Sequence, residues 1–250
     1  MDIISLAAII APGRKTELFW KVFLTLHQIK SALYALILTN KYGLKLRKVS
    51  APEEVTRLRL EYSEVLLSKL NIGVEVIGGE KIKQGGQYLI LSNHRSIIDP
   101  LIVEIAFKNK GIHSLWIAKK ELFNSFFFGA FTRNSGSILL DRESSQMGSF
   151  FNDIKAAVAK GYSISVFPEG SRNKEDTPLA EFKKGSQIIA VKNRLPMLPV
   201  FIKTNANEVL MESIKYNTQD LNVTIEIGDL IDYKDRSRTL EEAYKHQFKL

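Results

Sequence analysis

From residue 74 onward the chain alternates short β-rich runs with helical stretches, and this alternation leaves few folds open to it. The β-rich runs lie at 74–77, 88–92, 114–118, 137–141, 162–168, 198–203 and 222–228. Helical stretches fall between several of them, at 99–109, 120–132, 145–160 and 179–193. Parallel strands need a crossover, usually a helix, so the pattern predicts an α/β fold with a largely parallel central sheet flanked by helices. The chain has 250 residues, 45% of them hydrophobic. That is enough to bury a real core in one large domain, with or without an appendage. No internal repeat or low-complexity linker interrupts the pattern.

Polar clusters follow the carboxyl ends of four predicted strands. Asn93-His94 follows 88–92, Lys119-Lys120-Glu121 follows 114–118, Asp141-Arg142 ends 137–141, and Pro168-Glu169-Gly170 ends 162–168. In open α/β sheets this edge is where ligands bind. His94 can take a proton from an alcohol near neutral pH, and a carboxylate would fix its tautomer and stabilise the imidazolium. Asp99 is the candidate carboxylate. In a continuous helix the two would lie about 140° apart, so a turn must intervene. Asp99 also precedes Pro100, a good first helical residue, so it can serve as a helix N-cap at the same time. Arg142 and Arg172 offer guanidinium forks for a phosphate, and Gly170 lets backbone N–H groups approach an anion. Glu169 can hold Arg172 or bind a substrate hydroxyl. Asn93, Lys119 and Lys183 are further candidates, with solvated surface charge the alternative for the lysines.

Several chemistries are excluded or unsupported. With no cysteine there are no disulfides, thiolate ligands or Cys nucleophile. The four histidines, His27, His94, His113 and His246, are too dispersed to suggest a metal cluster. No Ser sits in a Gly-x-Ser-x-Gly elbow, so an acyl-enzyme is not indicated. Direct attack by a substrate hydroxyl on a thioester is the simpler route.

The net charge of +8 is unevenly placed. Residues 1–50 hold eight basic residues against Asp2 and Glu17, so they carry +6 of it. Such asymmetry points to an anionic membrane surface or nucleic acid. Residues 18–38 read as a helix with a narrow polar stripe of Lys21, Thr25, Gln28 and Ser31. Spanning a bilayer would put Lys30 near its centre at a cost of about 2.5–3.5 kcal/mol. A helix lying in the interface is expected instead, with Phe19, Trp20, Phe23 and Tyr34 as interfacial groups. A second helix is expected at about 52–70, opened by a capping box at Ser50–Glu53 and stopped by Asn71 or Gly73. The run from Ile3 to Ala11 is a candidate third membrane-dipping segment. The basic residues alternate with bulky aliphatics and form no nucleic-acid motif, so no nucleic-acid partner is expected.

These motifs resemble the glycerolipid acyltransferases, specifically the lysophosphatidic acid (1-acyl-sn-glycerol-3-phosphate) acyltransferases. Asn-His-x-Ser-x-x-Asp matches residues 93–99, which contain the His-x4-Asp spacing. A second region is similar from Ala118-Lys119-Lys120-Glu121-Leu122 through Gly129 to Gly136 and Leu140-Asp141-Arg142. The family's proline there is absent, and Phe126-Phe127-Phe128 precedes Gly129. Phe-Pro-Glu-Gly-Thr-Arg matches 167–172 with Ser171 in place of Thr, and Leu198-Pro199-Val200 resembles a fourth region.

The resemblance implies a His94–Asp99 dyad, with Arg142, Glu169, Gly170 and Arg172 contacting the acceptor's glycerol phosphate. It implies acyl-CoA or acyl-acyl carrier protein as co-substrate, no other cofactor, no metal, and phosphatidic acid as product. It also implies a membrane-binding helical segment at 1–72 and an acyltransferase domain at 73–250. The place of action would be the cytoplasmic face of a membrane, as a peripheral or monotopic protein. The competing expectations are another lysolipid or glycerol-3-phosphate as acceptor, or a non-catalytic protein that holds anionic lipid.

Overall fold

The structure is a computed structural model and describes residues 26–141, 147–235 and 237–250. Its centre is a sheet of seven strands: β1 Ile72–Ile77, β2 Leu89–Ser92, β3 Ser114–Lys119, β4 Ile138–Leu140, β5 Ser163–Val166, β6 Met197–Ile202 and β7 Leu221–Ile227. The spatial order is β1-β7-β6-β2-β5-β3-β4. Every neighbouring pair is parallel except β6–β7. All seven predicted strands are present. The run at 162–168 ends early, at Val166, where the chain turns through Pro168.

The central strands β2 and β6 are buried along their whole length because both faces of the sheet are covered there. On β2, Ile90 joins one hydrophobic cluster while Leu89 and Leu91 join the other. The first cluster is shared with helices α1 Leu26–Leu46, α2 Pro52–Lys69, α3 Asp99–Ala106 and α8 Ala206–Tyr216. The second is shared with α6 Met147–Ala159, α7 Gly185–Asn193 and α9 Leu240–Phe248. Two short helices, α4 Lys120–Phe123 and α5 Gly129–Asn134, connect β3 to β4. The result is three layers, helix–sheet–helix, with the helical pair α1–α2 part of the first core.

Several expected boundaries move, each for a visible reason. The stretch 120–132 is two helices, because Ser125 Oγ accepts the N–H groups of Phe127 and Phe128, both at 3.2 Å, and starts a new turn. The stretch 179–193 becomes helical only at Gly185. Its earlier N–H groups are taken by neighbours: Ala180 donates to Glu169, Phe182 to Glu241 and Lys183 to Pro168. The capping box at Ser50 does not form. Pro52 holds the preceding Ala51 in extended backbone, so Ala51 becomes the N-cap without a side-chain bond. The stop at Asn71 is present, with φ 55°. Helices α8 and α9 had no sequence expectation, although Thr239 and Glu242 form a full capping box before α9.

The helix expected at 18–38 differs most. Residues 18–25 and the run 3–11 lie outside the described residues, and with them Phe19, Trp20 and Phe23. The described part runs on to Leu46, past Gly43, where an added Cβ would stand 2.9 Å from the Phe131 backbone nitrogen. Glycine is what lets α1 approach α5 this closely, and Asn134 Nδ2 donates to the Gly43 carbonyl at 2.8 Å. Three polar side chains face inward. Gln28, Thr39 and Tyr42 are buried, while Leu26, Ile29, Leu33, Ile37 and Leu44 are exposed. Thr39 Oγ1 pairs with Tyr62 Oη at 2.8 Å, and Tyr42 Oη donates to Glu61 at 2.6 Å. The partners offered by α2 let these polar groups share the buried face with Leu38 and Leu46.

Candidate active site

The loop after β2 is built to hold one imidazole. Asn93 is fully buried, and its Oδ1 accepts the Ile202 N–H at 2.8 Å while Nδ2 donates to the Ile202 carbonyl at 3.1 Å. The Asn93 amide thus continues the β2–β6 pairing one residue past the end of β2, and acts as a strut. The chain then turns, as the spacing requires, and brings Asp99 back to His94. Asp99 Oδ2 accepts from His94 Nδ1 at 2.8 Å and from the N–H groups of Arg95 and Ser96, both at 2.7 Å. The expected N-cap role is corrected. Ile98 is the N-cap and Asp99 the first helical residue, so its carboxylate holds the loop's own amides. Asp99 is 1% exposed, and its Oδ1 is buried with no hydrogen-bond partner among the described residues. With Nδ1–H donated to Asp99, Nε2 carries the ring's lone pair. The His94 side chain keeps 17% of its surface exposed, and its ring stacks on Phe167 at 3.9 Å, which in turn stacks on Trp116 at 4.9 Å.

The turn after β5 clamps this loop from the side. Gly170 donates its N–H to the Phe167 carbonyl at 2.9 Å and adopts φ 72°, a left-handed conformation that favours glycine. Glu169 points inward. One carboxylate oxygen accepts the His94 N–H at 2.6 Å and the other accepts the Ala180 N–H at 2.9 Å. Burial pushes this carboxyl up to about 7, against the lowering effect of the two amides. The expected contact of Glu169 with Arg172 or with substrate is therefore corrected, since both oxygens serve backbone donors and the residue is 3% exposed. Asn173, unnoticed in the sequence, donates its N–H to the His94 carbonyl at 2.6 Å. Its side chain bonds Thr177 and the Glu175 N–H, which ties up the loop behind it. Both backbone groups of His94 are thus held by the 169–173 segment.

The cations separate into three groups. Lys119 and Arg172 come together in an open depression of about 540 Å³, also lined by Ser171, Asn173, Lys174, Glu175 and Ala180. Lys183 does not join them: it is 60% exposed and 3.5 Å from Glu181. Arg142 lies outside the described residues. Arg95 was also missed in the sequence. Its Nη2 donates to the carbonyls of Ile202, Lys203 and Thr204 at 2.9, 2.9 and 3.1 Å, so this cation fixes the loop to the end of β6. Nothing in the local sequence pairs it with a strand end more than a hundred residues away. Among the described residues no three His, Asp or Glu side chains group as metal ligands do.

A three-layer sheet carrying an imidazole–carboxylate pair at its carboxyl edge places the chain in the class of α/β proteins with a His-x4-Asp site. The chain belongs to the acyltransferase family, whose model matches residues 73–203. It is similar to the 1-acyl-sn-glycerol-3-phosphate acyltransferase of Helicobacter pylori, 34% identical over 166 residues that cover 65% of this chain and 62% of that protein. The Bacillus subtilis protein of the same name is 31% identical over 136 residues, 54% of this chain and 65% of that one. The match thus spans just under two thirds of the length of these relatives. The crystal structure of the 1-acyl-sn-glycerophosphate acyltransferase PlsC from Thermotoga maritima superposes with a TM-score of 0.65 at 23% identity, covering 91% of both chains. The two share a fold.

Proposed function

We propose that this chain transfers a fatty acyl group from a thioester, acyl-CoA or acyl-acyl carrier protein, to the free hydroxyl of lysophosphatidic acid, giving phosphatidic acid. The observation that carries the reading is the 2.8 Å contact between His94 Nδ1 and Asp99 Oδ2, which leaves Nε2 as the base. In this reading Nε2 takes the proton of the acceptor hydroxyl as its oxygen attacks the thioester carbonyl. Asp99 stabilises the imidazolium that forms. The tetrahedral intermediate expels the thiolate, which takes the proton back from His94, and an ester and a free thiol remain. The depression with Lys119 and Arg172 adjoins this site, since Asn173 both lines it and bonds His94. It suits the acceptor's phosphate. Arg142, which lies outside the described residues, is the further cation that the family resemblance assigns to that phosphate. The step needs no metal and no cofactor beyond the thioester.

The exposed face of α1 supports a seat in the membrane interface. Leu26, Ile29, Leu33, Ile37 and Leu44 form an apolar stripe at helical spacing, flanked by exposed Lys30, Lys41, Arg47 and Lys48. Each such cation near an anionic surface contributes about 1 kcal/mol. No helix among the described residues is long and apolar enough to cross a membrane. We infer a place on the cytoplasmic face of the membrane, as a monotopic or peripheral enzyme. The test is an acceptor panel with product lipids identified by mass. Phosphatidic acid from lysophosphatidic acid supports the reading. Acylation of another lysolipid or of glycerol-3-phosphate, with lysophosphatidic acid ignored, removes it.

A further inference from the structure

Below the dyad, on the α2–α3 side of the sheet, lies a buried polar cluster that the proton transfer does not use. Arg59, on α2, is 3% exposed. Its Nη1 donates to the Ser114 carbonyl at 2.6 Å, and its Nη2 stands 3.0 Å from Glu104 Oε1. The same Glu104 oxygen accepts the indole N–H of Trp116 at 2.8 Å. Glu104 belongs to α3, whose first residue is Asp99. One short helix therefore presents a carboxylate to His94 near its start and a second to Trp116 near its end. From Trp116 the contacts run through stacked rings, 4.9 Å to Phe167 and 3.9 Å from Phe167 to His94.

A buried ion pair is weak evidence for stability, because desolvation offsets the attraction. This one has a geometric consequence. Glu104 fixes the indole edge, the indole backs Phe167, and Phe167 is the surface on which the catalytic imidazole lies. The geometry points to Arg59, Glu104 and Trp116 as positioning residues that make the seating of α2 on the sheet a condition for an aligned His94. The inference rests on His94 being the general base, and adds how the N-terminal helical pair bears on it. Arg59 is the one member contributed by that pair, and it spans two elements at once by bonding β3 through Ser114 and α3 through Glu104. A small rotation of α2 therefore reaches the ring stack through Glu104 and Trp116.

The test uses the full chain with two substitutions. Trp116→Phe keeps a ring against Phe167 and removes the N–H. Glu104→Gln keeps an oxygen for the indole and removes the charge facing Arg59. Both are read by steady-state kinetics across pH and by the ¹⁵N signals of the His94 ring, with melting temperature as the check on folding. The expected result is a kcat lowered about tenfold, KM for both substrates within about twofold, a shifted acid limb of the pH profile, and displaced His94 signals. Should Glu104→Gln fail to fold, Trp116→Phe decides alone. A Trp116→Phe protein with the wild-type kcat, pH profile and His94 signals overturns the inference. The ring signals need no substrate, which separates the two readings. Displaced signals in Trp116→Phe, beside a wild type that acylates nothing, would end the acyl-transfer proposal and leave the positioning role. Active wild type with unmoved signals in Trp116→Phe would do the reverse.

Discussion

The loop after β2 and the loop after β5 leave the same edge of the sheet, yet their polar groups are arranged in opposite ways. In the first, Asn93, Ser96 and Asp99 are buried, and their bonds are made within the protein. In the second, Glu169 and Asn173 turn inward to clamp His94, while Ser171, Lys174 and Glu175 are exposed around an open depression. The difference follows what each has to do. The proposed proton transfer demands a closely held base, and bonds at Asn93, His94, Arg95 and Ser96 hold that loop. Binding a mobile phosphate needs positive charge within reach, which long side chains at a solvent-open site provide. Glu169 is the hinge of the contrast: it belongs to the second loop in sequence and to the first in function.

Substitutions in the first loop should act on kcat. Asp99→Asn offers an oxygen to the three donors but no charge to the imidazolium, and it buries an NH2 where Oδ1 now lacks a partner. Its kcat should fall by about 10²- to 10⁴-fold, measured in the pre-steady state so that product release does not hide it. A kcat within a few-fold of wild type would show that the loop is merely well packed.

Glu169→Gln sharpens the boundary between the loops. Gln can accept from one amide and opposes the other with its own N–H, which costs about 1–3 kcal/mol. The pH dependence has a definite sign. Folding raises the Glu169 pKa from 4.5 to about 7, so the group favours the folded state below 4.5 and loses that contribution as pH rises through about 7. The stability advantage of wild type over the Gln variant should therefore shrink across that window in denaturant titrations. An advantage that grows with pH would mean the carboxylate is stabilised as the anion.

In the second loop, Arg172→Ala should raise the acceptor KM about tenfold and leave the donor KM nearly unchanged. Equal effects on both would remove the phosphate assignment. The smallest effect is expected farthest from either loop. Leu33→Asp with Ile37→Asp places charge on the exposed face of α1, and should release the protein from anionic vesicles while kcat on detergent-dispersed substrate stays unchanged. Undiminished sedimentation with vesicles would put the membrane contact elsewhere.

The same contrast explains what the sequence made legible. Strands β2 and β6 could be read because each is buried along its whole length and bounded by turn residues, as with Tyr88 to Leu91 before Asn93. The His94–Asp99 pair could be read because its spacing is local and a turn is the one way to join the two. The contacts from Glu169 to His94 and from Arg95 to Ile202 span 75 and 107 residues, and nothing nearby announces them. The inward face of helix α1 was not legible for a related reason. Its period was visible, but which face lies inward depends on Tyr62 and Glu61 of another helix offering partners to Thr39 and Tyr42. The capping box expected at Ser50 does not form, because Pro52 makes Ala51 the N-cap of α2.

The central claim, that His94 held by Asp99 is the base of an acyl transfer, is tested most directly by thiol release from an acyl thioester. The assay is run in vesicles with and without lysophosphatidic acid, beside His94→Ala of unchanged melting temperature. Acceptor-dependent release is expected in the wild type, and its loss by about 10²-fold or more in the variant. Release that persists in His94→Ala at the wild-type rate would contradict it.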